Sequence, residues 1–150
     1  MTDLLLAIGH HLAVFSLIAI LAAELVLLVR PVAPAEVCLL ARLDIAYGAT
    51  AVAILSLGFA RVFFGAKGSA FFLHNPVFWL KIALFGGVGL LSALPTVRFI
   101  QWRRRVGRGH DRAPSVAEVA SVRRYVVAEM LLFVPIPLLA AAMARGFGLQ

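Results

Sequence analysis

The sequence predicts an all-α protein, a transmembrane four-helix bundle with both termini outward (periplasmic), short connections and a basic cytoplasmic third loop. Three observations lead there. Four stretches, about 4–29, 45–64, 76–94 and 126–143, are long, apolar and nearly uncharged. Each has roughly the 17–25 residues that cross a hydrocarbon layer about 30 Å thick. The chain is 63% hydrophobic with a mean hydropathy of +1.00, whereas soluble domains are roughly 45–50% apolar. Finally, eight of the fourteen Lys and Arg residues lie from Arg98 to Arg124, in the third connection, which is the charge asymmetry that holds a loop in the cytoplasm.

That asymmetry orients the rest. Ten basic residues fall on the cytoplasmic side (Arg30, Arg42 and the eight) against Arg61, Lys67, Lys81 and Arg145 outside. The expectation is a single membrane domain over residues 1–150, multi-pass in a bacterial inner membrane. A net charge of +7 would point to nucleic acid in a soluble protein. Here it is assigned to anionic lipid headgroups, and no nucleic-acid partner is expected. The first segment reads as a span and not as a signal peptide. Its start carries Asp3 and no Lys or Arg, and its apolar run exceeds the roughly 7–15 residues of a signal core. Cys38 is the one cysteine, so no intrachain disulfide is possible, and a small core residue is expected.

The first span should stop at Arg30-Pro31, because proline restricts the residue before it. Arg42 and Asp44 mark the start of the second span, which ends at Phe64-Gly65, a helix-stop signal. The loop over residues 65–75 is glycine-rich and then aromatic, with Phe71 and Phe72 expected on the membrane surface. Asn75-Pro76 reads as an N-cap followed by proline in the first turn. Phe78 and Trp79, then Phe99 and Trp102, are placed in the two aromatic belts. Residues 103–114 show no apolar periodicity and read as a basic loop on headgroups, each cation contributing about 1 kcal/mol. Ser115 and Glu118 fit a capping box at the start of the last helix, and Pro135 and Pro137 predict a kink within it.

Ionisable groups inside a membrane cost roughly 2.5–3.5 kcal/mol each on insertion scales and face the bundle interior, so they are the candidate functional residues. An outer layer holds His10, His11, Arg61 and Lys81. His10 lies six residues into its span, roughly 9 Å deep at the helical rise. One reading has the cations snorkelling outward and the histidines bonded to neighbouring helices. The other is a site for haem b or another anionic planar ligand. There His10 or His11 serves as metal ligand and Arg61 and Lys81 hold the carboxylates, with Met143 at similar depth. An inner layer holds Glu24, Arg42, Asp44, Arg98 and Glu129, with Tyr47 one turn from Asp44. His10 and Glu24 differ by only about 40° around the helix and share a stripe, whereas His11 is about 140° away. Interhelical ion pairing is one reading of this layer and a proton route the other. The small-residue pairs Ala83/Gly87 and Gly89/Ala93 predict close helix packing.

The segments His10-His11-Leu12-Ala13, Ala41-Arg42-Leu43-Asp44, Gly58-Phe59-Ala60-Arg61-Val62, Asn75-Pro76-Val77-Phe78-Trp79-Leu80-Lys81 and Leu94-Pro95-Thr96 resemble those of a bacterial family of small four-span predicted membrane proteins without an assigned function. More distantly, the layout is similar to the four-span, haem-associated protoporphyrinogen oxidases and the copper-resistance D-type membrane proteins. The shared features are matched here by His10 or His11, Arg42, Trp79 with Lys81, and Glu129. That resemblance implies haem at the first-span histidine and activity at Lys81. The chain departs from it in lacking the aromatic run after the histidine and a histidine late in the third span, where Leu91-Ser92-Ala93-Leu94 stands.

Together these readings lead with a haem-b or porphyrin-binding redox protein. As an enzyme it would be a membrane oxidoreductase acting on a porphyrin or quinone, with Lys81, Glu24 and Glu129 as catalytic residues. The alternative is a non-enzymatic membrane subunit, assembly factor or small transporter whose buried charges only pair helices. A homodimer or a membrane partner is compatible with either.

Overall fold

The computed structural model describes residues 1–66, 68–108 and 113–148. Among them are six helices: α1 (Thr2–Leu27), α2 (Pro34–Phe64), α3 (Gly68–Leu73), α4 (Pro76–Gly107), α5 (Val116–Phe133) and α6 (Pro135–Ala144). Four rods are long and apolar enough to cross a membrane, α5 and α6 together forming the last. The rods close into a ring. α1 packs chiefly on α2 and α4 chiefly on α5, and the contacts of α2 with α4 and of α1 with α5 complete it. An even number of crossings leaves both termini on one side.

Each helix shows why it faces inward where it does. On α1 the buried residues are Leu17, Leu21 and Glu24, with Leu28 next, a stripe spaced by three and four residues as one helix face requires. Leu5, Phe15, Val26, Leu90, Leu131 and Leu138 are exposed, as befits side chains whose solvent is lipid. The central core joins Leu17 and Leu21 to Val37, Leu40, Val88, Val122, Val126 and Phe133.

Several expected boundaries shift. α2 begins at Pro34, so the first connection covers only residues 28–33. α4 does not end near residue 94. It runs through Pro95 to Gly107, which costs one ladder bond to Leu91, a loss membrane helices tolerate. Arg103, Arg104 and Arg105 therefore ride on a helix and not in a loop; the remainder of that basic loop includes residues 109–112, which lie outside the described residues, as does Lys67. The outer loop contains α3, and Phe71 and Phe72 turn inward against Val62, Val77, Phe78 and Met143, not onto the membrane surface. Phe78, Phe99 and Trp102 are also buried, leaving Trp79 as the belt residue, its indole donating to the Leu73 carbonyl at 3.0 Å. Cys38 is exposed, not a core residue. Of the small-residue positions, Gly87 alone is tightly packed, a Cβ there meeting Leu132 at 3.0 Å, whereas Gly89 faces open space.

Local signals at several helix ends are in place, although α1 stops at Leu27, ahead of Arg30-Pro31. Asn75 accepts from the Val77 amide at 2.9 Å. Ser115 and Glu118 exchange both capping bonds. The last span breaks at Val134, before Pro135.

Candidate functional site

The outer layer converges on one cavity of about 340 Å³ in the half of the bundle nearest the termini, the half expected to face outward; it is half-open and walled mainly by apolar residues. α1 brings His10 and His11, α2 brings Arg61, and α4 brings Lys81; Phe72, Phe78, Phe133 and Met143 add apolar surface. The heptad spacing of His10, Leu17 and Glu24 turns His10 toward the bundle. Its ring rests on Gly58, where an added Cβ would meet Cε1 at 3.4 Å, so the glycine makes its place.

The polar atoms here are only partly occupied. His11 Nδ1 is 2.6 Å from the Ala7 carbonyl. A carbonyl can only accept, so Nδ1 carries the proton and is engaged, leaving Nε2 as the ring nitrogen that can face the cavity. The rings of His10 and His11 are 6.1 Å apart and nearly perpendicular. His10 Nδ1 and Arg61 Nε are buried without a hydrogen-bond partner among the described residues. The Lys81 ammonium stands 6.0 Å from the Phe78 ring centroid, at the outer limit of a cation–π contact. Among the described residues no three His, Cys, Asp or Glu side chains form a group able to hold a metal ion.

The inner layer also comes together, though not by ion pairing. Glu24 and Glu129 are 3% and 2% exposed, and each leaves an oxygen without a hydrogen-bond partner among the described residues. Asp44 accepts from the Thr96 hydroxyl at 2.7 Å. The Tyr47 hydroxyl lies in hydrogen-bonding reach of Glu129, and Glu24 is near enough to sense both Asp44 and Glu129. Arg42 is exposed, and neither it nor Arg98 pairs with these carboxylates. The ion pairs among the described residues are Arg30–Glu36 and Arg105–Glu118, both near the surface, where such pairs contribute about 0–1 kcal/mol.

Gly58, Thr96 and Phe85 belong to this arrangement and were not singled out as site residues from sequence. Thr96 carried no signal, since the third apolar stretch was expected to end near residue 94 and only the continuation of α4 to Gly107 brings Thr96 into the bundle. Phe85 carried none, since its importance lies in position: it lines both the outward cavity and a second cleft in the inner half.

No curated protein matches this chain, and no solved structure does. The sequence resemblance to the porphyrin oxidases and copper-resistance proteins thus has no counterpart in these comparisons. A family model described as "Predicted membrane protein (DUF2214)" matches residues 2–148. This match covers nearly the whole chain, and the four apolar rods carry the character its description names; the chain belongs to the DUF2214 family of predicted membrane proteins.

Proposed function

We propose that this protein resides in a bacterial inner membrane with both termini in the periplasm, and that its outward cavity binds a planar anionic ring of the porphyrin class, haem b in particular, for a redox role. The carrying observation is the convergence of an imidazole engaged through Nδ1, two basic side chains and aromatic walls on one half-open cavity. Its volume of about 340 Å³ falls in the usual range for ligand sites, roughly 300–1,000 Å³.

The donor set fits such a group. His11 is the better axial ligand, because histidines that bind metals usually donate the other ring nitrogen's proton to a carbonyl or carboxylate. Arg61, with its buried unpartnered Nε, and Lys81 would hold the ring's carboxylates; His10 would orient the ligand from the Gly58 side. Bound haem supplies one-electron chemistry. Glu24 and Glu129 would exchange the accompanying protons through Tyr47 and Asp44, and Lys81 would hold its positive charge against the ligand as its electron count changes.

The test is an absorption spectrum of the protein purified after expression with ample haem. A Soret band is expected, lost in His11→Ala and retained but shifted in His10→Ala. A wild-type protein without the band overturns the proposal.

A small transporter is the second reading, favoured by one observation: Phe85 lines both of two cavities that lie toward opposite ends of the bundle. The notion that buried charges merely pair helices has less support, because neither layer forms an ion pair among the described residues.

A further inference from the structure

The second cleft lies between α2 and α4 in the inner half and is about 650 Å³, against about 340 Å³ for the outward cavity. Its floor is kept open by missing side chains. A Cβ added at Gly48 or Gly89 would meet nothing within 4 Å. Two hydroxyls on the floor are already engaged: that of Thr96 donates to Asp44 at 2.7 Å, and that of Ser92 donates to the Gly89 carbonyl at 2.8 Å. The unused polar chemistry sits at the mouth. Arg103 and Arg104 line it, both exposed and neither in an ion pair among the described residues, whereas Arg105 pairs with Glu118 at 2.9 Å.

Dimensions narrow the occupant. From Arg104 to Gly89 the cleft follows fifteen residues of α4, roughly 22 Å at the helical rise, the depth of one leaflet in a bilayer about 40–45 Å thick with its headgroups. Asp44 pairs with Thr96, which is roughly 10 Å along the helix from Arg103, so its carboxylate does not confront an anion at the mouth. Planar guanidinium forks suit phosphate, and a long apolar groove suits an acyl chain.

We propose that this cleft is an intramembrane site for one anionic phospholipid of the cytoplasmic leaflet. The phosphate lies between Arg103 and Arg104, and one acyl chain runs over Gly48 and Gly89 against Ile45 and Val88. Because lipid tails are as apolar as the groove, burial alone gives little drive. Selectivity comes from the two guanidiniums, and the groove decides that a lipid is held and not a free phosphate. The inference is independent of what the outward cavity binds.

Native mass spectrometry of the purified full chain tests it, with phosphatidylglycerol, phosphatidylcholine and inorganic phosphate as probes. Retention of one phosphatidylglycerol is expected, preferred over phosphatidylcholine on the order of tenfold. Arg103→Gln with Arg104→Gln should abolish the preference. Gly48→Leu with Gly89→Leu should fill the groove and abolish retention, helix content by circular dichroism being unchanged in both pairs. Equal retention of the two lipids overturns the proposal, as does phosphatidylglycerol surviving in the filled groove, or inorganic phosphate displacing it fully. A dimer in the wild type that the two leucines dissociate also overturns it, since the groove is then an interface between copies. The arginine pair, at an exposed helix end, keeps the test decisive if the leucines impair folding.

Discussion

Glu129 illustrates what a single residue does in this solvent. It is buried on the core face of α5 with Val122, Val126 and Phe133, and its neighbours are a tyrosine and two further carboxyls, with no cation paired to it. Its contribution is therefore as buried volume and as a polar neighbour of Tyr47, not as half of an ion pair. Glu129→Gln keeps both the volume and an acceptor, so unfolding in detergent should shift by less than about 1 kcal/mol. Glu129→Ala removes the acceptor and opens a cavity, and should cost about 2–5 kcal/mol, the range for emptying a core site. Equal losses in both variants would mean that its charge is paired after all.

At the scale of an element, α5 and α4 carry the instructive cases. The start of α5 is set by Ser115 and Glu118, each bonded to the other's backbone amide, and Glu118 also meets Arg105 of α4 at 2.9 Å. Ser115→Ala should destabilise this end by about 1 kcal/mol, whereas Ser115→Asp should keep most of the effect. Hydrogen exchange at the Glu118 amide reads this directly: faster exchange is expected in the alanine variant, and an unchanged rate would remove the cap from the account. α4 shows the opposite relation between local signal and outcome. Pro95 is a local stop signal, yet the helix continues, because Pro95, Phe99 and Trp102 bury one face against the bundle. That continuation lifts Arg103 and Arg104 onto the mouth of the inner cleft.

Over the whole molecule, charge decides sidedness and packing decides which charges meet. The basic third connection predicts that alkaline phosphatase fused after residue 148 will be active in the periplasm and that a fusion after residue 108 will be inactive. The reverse pattern would invert the bundle and move the outward cavity to the cytoplasmic face. Both internal layers survive such an inversion, since each depends on contacts among the rods and not on orientation.

Much of this was legible in the sequence. Hydropathy acts residue by residue and adds along a segment, so four spans follow from composition alone. The stripe of His10 and Glu24 follows from helical period, and the caps at Asn75 and Ser115 from side chains that bond their own neighbourhood. Tertiary structure alone decided the rest. Whether Trp102 lies at the surface or in the core, whether Arg42 reaches Glu24, and whether Gly89 packs a helix or floors a cleft all depend on how each rod is rotated against the others. That rotation is chosen by simultaneous contacts among residues far apart in the chain, and no local pattern encodes it.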